Sequence, residues 1–447
     1  MMRIIKFTPI IAALVLLGSG AMAQESYSLA EAKKKAIENS AAVKIAKYEV
    51  EKAEKNIWEV KAIGLPQVNA EVGFQQFIDI PTQVLPANAF NPSAPAGELV
   101  GVQFGTEFSV TANLTVSQLL FDGRYLIGLQ AIQMLKQVQD ISLEKSEKLA
   151  KDETENAYYM VVASAEQVKI IEKTKVKLEK LKSDIQILAD EKVLDQTEAD
   201  QMALNLAKLE NNLILAKKQH ELATDLLKMK MGFGMEKQIY VTDSLWSLVE
   251  SFSPKDEVSK AYNSSGNLDV QMLETQLVLD GLNIKNEQAA GMPSLAAFFQ
   301  TQQQAFRNDF TFFKNEPWYP ANLWGVNLKI PIFSSGQRLA KVRQAELMED
   351  ITAVRIGSAK EGLDLQAKNV KVNLESASNI LRTNKMSVEI AERILNNAQI
   401  KFKEGMISST EFTQSENQYI MAQSDYINSA YQLLKAKLEL DKLMNNE

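Results

Sequence analysis

The chain has 447 residues, a formal net charge of −7 at pH 7, no cysteine and one histidine. This acidic balance disfavours nucleic acid as a partner, because phosphate binding needs clustered Lys and Arg. Without cysteine the chain has no disulfides or thiolate metal sites, and His220 alone is a poor ligand set, so we expect no metal and no cofactor. No phosphate-binding loop or Gly-x-Ser-x-Gly motif occurs, and the sequence predicts no enzyme.

The first residues have the pattern of a secretory signal peptide. Arg3 and Lys6 precede an apolar run at 10–17 and the small residues Ala-Met-Ala at 21–23. The apolar run is too short to cross a bilayer as a helix. We therefore expect export and cleavage after Ala23.

The remaining sequence reads as two copies of one unit, at 24–231 and 255–447, joined by a linking segment at 232–254. Three short motifs recur in the same order: Ala62-Ile63-Gly64-Leu65-Pro66 with Ala289-Ala290-Gly291-Met292-Pro293, Leu120-Phe121-Asp122-Gly123 with Ile332-Phe333-Ser334-Ser335-Gly336, and Thr197-Glu198 with Thr410-Glu411. A repeat this long favours a pseudo-symmetric structural protein over an enzyme. The linking segment breaks the helical pattern, and we expect it to pack beside the helices.

Each copy begins with a helix that is followed by two strands of alternating apolar and polar residues. We place these strands at about 66–78 and 104–120 in the first copy and at about 294–304 and 322–333 in the second. About ten alternating residues span a bilayer as a tilted strand. Beyond the signal peptide no apolar stretch reaches helical membrane-spanning length. The strands fit a transmembrane β-barrel, although the core of a soluble β domain would also explain their aromatic residues.

A pair of long helices follows the strands in each copy, at about 123–191 and 197–230 and at about 336–404 and 409–445. Apolar residues of the returning helices recur at alternating spacings of four and three, as in a coiled-coil seam. The seam residues are Met202, Leu206, Leu209, Leu213, Ala216, His220, Ala223 and Leu227 in the first copy, and Ser415, Tyr419, Ala422, Tyr426, Ser429, Leu433, Ala436 and Leu440 in the second. Each pair should form an antiparallel hairpin.

The turns of the two hairpins are candidate docking sites. The glycine, hydroxyl and acidic residues of the second turn suit the end of one helix and the cap of the next. Helix capping explains these residues fully, whereas apolar side chains at an exposed turn also suit a partner protein. The candidate docking residues are Val193, Leu194, Thr197, Gly405, Met406, Ile407 and Ser408.

The signal peptide, the duplicated unit, the joints at 120–123 and 331–336 and the hairpin turns together resemble the TolC family of outer membrane efflux and secretion channels. The resemblance implies a mainly α fold with a β-barrel part. Long antiparallel helical hairpins would form an α-barrel tunnel, and four strands per chain would contribute to a trimeric twelve-stranded outer membrane β-barrel. It further implies a homotrimer in outer membrane lipid that docks to a periplasmic adaptor and, through it, to an inner membrane pump.

The resemblance also implies a periplasmic aperture at the inner end of the tunnel. Some family members carry a cation-binding acidic ring there, and Glu411 matches its first position. Gln414 stands at the second position, and Ile407 stands where some relatives have a gate arginine. The chain thus departs from the charged pattern at two of these positions.

Two other protein classes compete with a passive export duct. A periplasmic adaptor also has long helical hairpins, but it usually has one hairpin and a membrane or lipid anchor, whereas this sequence predicts two hairpins. A soluble coiled-coil scaffold would have no use for the alternating strands. The sequence therefore favours the channel component of a tripartite efflux or type I secretion system.

Overall fold

The structure is a computed structural model that describes residues 25–444. The predicted signal peptide and its cleavage site after Ala23 lie outside these residues. The described chain forms two compact units. The helical unit contains 25–43, 147–261 and 368–444, and the sheet unit contains 44–146 and 262–367. Each unit draws on both sequence copies, so the units cut across the division into 24–231 and 255–447.

Long helices and a few strands make up the described chain. In chain order they are β1 (Glu25–Tyr27), α1 (Leu29–Asn39), α2 (Ala41–Ile63), β2 (Gln67–Gln76), β3 (Thr82–Pro86), β4 (Leu99–Gln103), β5 (Phe108–Phe121), α3 (Gly123–Asp190), α4 (Gln196–Lys230), β6 (Ile239–Val241), α5 (Leu245–Glu250), α6 (Pro254–Ser259), α7 (Leu268–Ala289), β7 (Ser294–Arg307), β8 (Tyr319–Lys329), α8 (Gln337–Lys403) and α9 (Ser409–Met444).

The sheet unit contains an antiparallel sheet with the strand order β2-β5-β7-β8. Paired residues share a face, and the register aligns Val72 with Ala112, Val116 with Phe299 and Phe299 with Trp324. One face, which we call the apolar face, carries Val68, Ala70, Val72, Phe74, Phe108, Val110, Ala112, Leu114, Val116, Ala297, Phe299, Ala305, Trp324, Val326 and Leu328, together with the polar residues Gln76, Gln118, Thr301, Gln303, Arg307 and Asn322. The opposite face, the polar face, is mostly Asn, Gln, Ser and Thr.

Strand ends differ from the sequence-based placement for local reasons. The strand placed at 104–120 begins at Phe108, after Gly105 with a φ of 130°. The strand placed at 322–333 runs from Tyr319 to Lys329 and stops before Pro331, which has no N–H to donate. Between β2 and β5 the chain forms a further antiparallel pair, β3 and β4, in addition to the two strands expected for the first copy.

In the helical unit the linking segment packs against helices. Its strand β6 pairs in parallel with β1, and Ile239 and Leu245 lie in a buried cluster that includes Tyr158. The Tyr158 hydroxyl lies 3.0 Å from the Tyr27 carbonyl oxygen and 2.8 Å from the Asp243 carboxylate, the two acceptors available to its single proton. The first described strand, β1, is thereby tied to the linking segment.

The buried stripe of α4 contains most of the predicted seam, whereas that of α9 differs. Ser415, Ala422, Tyr426 and Ala436 are only half-buried. The buried residues of α9 are Ser409, Phe412, Glu416, Tyr419, Ile427, Ser429, Ala430, Leu433, Leu434, Leu438, Leu440 and Leu443. α9 contacts both α4 and α5, so it buries more than one face and a single 3–4 spacing does not describe it.

Across residues 25–444, no helix combines the length and the apolar character needed to cross a membrane.

Candidate hairpin-tip site

The turn between α8 and α9 ends its first helix with a glycine in the left-handed region. Gly405 has a φ of 69°. Its N–H donates to the Phe402 carbonyl over 3.0 Å, and the Met406 N–H donates to the Lys401 carbonyl over 2.8 Å. This pair of bonds is a Schellman cap, which satisfies carbonyls at the helix end.

The turn between α3 and α4 repeats this geometry without a glycine. Lys192 takes the left-handed position with a φ of 62°. Its N–H donates to the Ala189 carbonyl over 2.9 Å, and the Val193 N–H donates to the Leu188 carbonyl over 2.9 Å. Sequence reasoning missed this cap because lysine gives no signal for a positive φ, which costs a non-glycine residue roughly 1 kcal/mol.

Side chains cap the helices that leave both turns. The Asp195 carboxylate accepts a 2.7 Å bond from the Thr197 N–H at the start of α4. The Ser408 hydroxyl accepts a 3.3 Å bond from the Glu411 N–H in the first turn of α9. Thr197 and Ser408, both candidate docking residues, are therefore also parts of the capping geometry.

Polar bonds join the two hairpins near their turns. The Glu198 carboxylate of α4 accepts a 2.7 Å bond from the backbone N–H of Ser409. Lys403 forms a 2.9 Å ion pair with Asp184 of α3. The Asn205 amide also donates to the Thr413 hydroxyl. These long-range contacts gave no sequence signal, and they hold the two turns together as one surface, which we call the tip.

An apolar cluster supports the tip. Phe402 and Phe412 stack with ring centroids 5.3 Å apart and are buried. Leu194 and Ile407 pack against this cluster from opposite turns. A Cβ placed on Gly405 would lie 3.8 Å from a methyl group of Leu194, which brings two of the candidate docking residues together.

The outer surface of the tip leaves apolar side chains exposed. Val193 is 66% exposed and Met406 is 68% exposed. Thr197, Gly405 and Ser408 are exposed, whereas Leu194 and Ile407 are half-buried. The tip surface thus combines two half-buried and two exposed apolar side chains.

The predicted aperture residues lie on the first turns of α9. Glu411 and Gln414 are three residues apart on an exposed face of this helix. A carboxyl group that sequence reasoning missed lies close by in the chain, at Glu416. It is 6% exposed, and burial raises its pKa to about 7. Its presence on a buried helix face could be recognised only once the packing of α9 was known.

The single histidine has a local packing partner. His220 is half-buried, its Nδ1 lies 2.9 Å from the Ser164 hydroxyl, and burial lowers its pKa. Among the described residues, no group of three or more His, Asp or Glu is placed to hold a metal ion.

Comparison with known proteins gives one family match in the second copy and several solved structures with the same fold. The family model of the outer membrane efflux protein matches residues 264–446. Comparison with functionally curated proteins gives no match. Among solved structures, the CmeC outer membrane channel of Campylobacter jejuni has a TM-score of 0.69 at 15% identity, over 94% of this chain and 85% of CmeC.

Two further channel structures give the same fold. The outer membrane protein VceC of Vibrio cholerae has a TM-score of 0.66 at 13% identity, over 92% of this chain and 95% of VceC. The open MtrE outer membrane channel of Neisseria gonorrhoeae has a TM-score of 0.64 at 14% identity, over 93% of this chain and 88% of MtrE. At these identities the likeness establishes the fold alone, and the family match covers residues 264–446. Residues 264–446 match the model of the outer membrane efflux protein family, and the chain has the fold of the CmeC, VceC and MtrE structures.

Proposed function

We propose that this chain is the outer membrane channel component of a tripartite efflux or type I secretion system, a passive trimeric duct that exports small molecules or protein. The central observation is the sheet β2-β5-β7-β8. Within the described residues, β2 and β8 each pair with one strand only and leave an edge open. Its apolar face carries exposed side chains, including Val72 at 74% and Trp324 at 79% exposure.

An open-edged sheet with an apolar face needs further strands before it can enter a bilayer. Backbone N–H and C=O groups at an edge have no water to bind in lipid, so membrane-spanning sheets close into barrels. In the proposed homotrimer, β2 of one copy pairs with β8 of the next, and three copies close a twelve-stranded barrel. The apolar face then contacts lipid, and the polar face lines the duct.

The proposal assigns the tip to docking. A periplasmic adaptor would contact Val193, Leu194, Thr197, Gly405, Met406, Ile407 and Ser408, and the adaptor would join the duct to an inner membrane pump. Glu411 and Gln414 would line the periplasmic aperture. Their exposure on α9 supports this role, as the exposed Val193 and Met406 support docking. The duct itself would catalyse no reaction and use no cofactor.

Disulfide trapping tests the closed trimer directly, because the native chain has no cysteine. Asn69→Cys in β2 is combined in turn with Leu323→Cys, Gly325→Cys or Asn327→Cys in β8, all on the polar face. One of these pairs should give a covalent trimer on a non-reducing gel. The trimer band should disappear on reduction, and no band larger than a trimer should form. Each single cysteine is the matched control, and monomers from every pair would contradict the shared barrel.

Docking is tested by Gly405→Val, which strains the left-handed turn. Its crosslinking to the adaptor should fall while the trimer persists. Gly362→Val, at a helical glycine with open space around it, is the control for a glycine-to-valine change. Unchanged crosslinking of Gly405→Val would remove the turn from the docking surface.

A further inference from the structure

The segment 308–318 between β7 and β8, which we call the β7–β8 loop, lies against the apolar face of the sheet. Phe310 has its ring centroid 6.0 Å from that of Phe74 and 6.1 Å from that of Phe108. Phe312 lies 6.0 Å from Phe74. Since Phe74 and Phe108 belong to the apolar face, the loop extends that face beyond the ends of the strands.

Arg307 fixes the loop in this position. Its side chain is 7% exposed and forms a 2.7 Å ion pair with Glu316. Its guanidinium also donates to the Pro317 carbonyl over 2.9 Å and lies 5.9 Å from the Phe312 ring centroid. The Thr311 hydroxyl donates to the same Glu316 carboxylate over 3.0 Å. The charges of Arg307 and Glu316 therefore neutralise each other, and the loop presents the rings of Phe310 and Phe313 outward.

Several of these rings stay exposed despite the clustering. Phe310 is 60% exposed, and Phe313, whose ring lies 6.1 Å from that of Phe310, is 92% exposed. An exposed apolar patch of this kind marks an interaction surface. The cluster contacts Phe74, which lies on the same face of β2 as Val72, so the medium that covers the apolar face would also reach the loop.

We infer that the β7–β8 loop is a lipid anchor, with Phe310 and Phe313 seated at the boundary between headgroups and acyl chains. This inference rests on the proposed function. α7 enters β7 and α8 follows β8, so the loop lies at the end of the sheet away from these helices and reaches the outer leaflet when the helices are periplasmic. Aromatic rings favour this boundary.

Lipid is a better occupant than a second copy of the chain. Copies in the proposed barrel meet at the strand edges of β2 and β8, whereas the loop projects onto the apolar face. Phe74 and Phe108 come from the paired strands β2 and β5, so the ring cluster lies over the sheet. The anchor would fix the depth at which the sheet sits in the bilayer.

The absence of native cysteine allows a one-site fluorescence test. Phe313→Cys in the full chain is labelled with an environment-sensitive dye and reconstituted into vesicles that contain phospholipids with a nitroxide near the headgroup or deep in the acyl chain. Val72→Cys, on the apolar face, reports lipid contact of the sheet. Gln75→Cys, exposed on the polar face, reports water.

The anchor predicts quenching at 313 several-fold stronger than at 75, and stronger with the shallow nitroxide than with the deep one. Quenching at 72 without quenching at 313 would overturn the anchor and leave the proposed function intact. If the dye at 313 is blue-shifted but unquenched, a second copy of the chain covers the loop in place of lipid. This result would also overturn the anchor. Loss of quenching at both 72 and 313 would reject the membrane placement of the sheet, and with it the proposed function.

Discussion

The carboxylate of Glu198 in α4 accepts a 2.7 Å hydrogen bond from the backbone N–H of Ser409, the first residue of α9. A side chain of one hairpin thus satisfies a free donor at the helix start of the other. Lys403 and Asp184 add an ion pair between the same hairpins. The two turns, separate in sequence, are therefore linked into one tip.

Glu198→Ala should loosen this tip. Charge-assisted hydrogen bonds contribute roughly 1.5–3 kcal/mol, and the half-exposed position of Glu198 places the expected loss near 1 kcal/mol. Hydrogen exchange of the tip peptides should become faster in this variant. Glu404→Ala, at an exposed carboxylate of the same turn, is the matched control. Equal exchange in the two variants would show that the cross-hairpin bond does not stabilise the tip.

The two left-handed positions predict opposite effects of glycine and alanine. Lys192→Gly relieves a positive φ and should stabilise the turn by up to about 1 kcal/mol, whereas Gly405→Ala should destabilise its turn by about the same amount. The loss of stability in Gly405→Ala comes from the strained backbone and not from a steric clash, because the atom nearest to an added Cβ lies 3.8 Å away. Denaturant midpoints measure both changes, and a shift in the same direction for both variants would contradict the assignment.

Burial of Glu416 predicts a stability that falls as the pH rises. Burial raises its pKa from 4.5 to about 7, so the folded chain favours the neutral form. Below about pH 4.5 the carboxyl is neutral in both states and imposes no penalty. The penalty grows between pH 4.5 and 7 and stays constant above, on the order of 3 kcal/mol.

Glu416→Gln should therefore stabilise the chain at pH 8 and leave its stability nearly unchanged at pH 4. Denaturant unfolding at the two pH values measures the difference. Glu411→Gln, at an exposed position of the same helix, is the control. An equal effect of Glu416→Gln at both pH values would mean that its carboxyl does not change charge with folding.

The apolar face predicts an asymmetric response to charge. Val72→Lys places an ammonium toward lipid and should cost about 2–4 kcal/mol near the bilayer midplane, which lowers the yield of membrane-inserted trimer. Gln75→Lys, on the polar face of the same strand, should leave the yield nearly unchanged. Heat-modifiable trimer in the outer membrane fraction is the measurement, and equal yields would argue against lipid on the apolar face.

Regular elements could be predicted from the sequence because their signals are local. The alternation from Phe108 to Ser117 and the proline-free runs after Gly123 and Gly336 each follow from the residues of one segment. The hairpin β3–β4 escaped prediction because Pro86 lies in it. It tolerates that proline because a two-stranded pair leaves one side of each strand without a sheet partner.

The contacts that build the tip could not be predicted, because they depend on packing between segments that are far apart in sequence. Glu198 and Ser409 are far apart in sequence, and their bond follows from the way the two hairpins lie together. Lys192 takes a glycine-like φ because its turn is held by bonds to Leu188 and Ala189. Glu416 reads as one more surface acid on a helix, and only the packing of α9 buries it.

The native mass of the protein extracted from isolated outer membranes in mild detergent tests the shared-barrel channel most directly. The open edges of β2 and β8 predict a trimer that requires detergent to stay in solution. A monomer recovered from the soluble periplasmic fraction would contradict the channel and favour a scaffold or an adaptor.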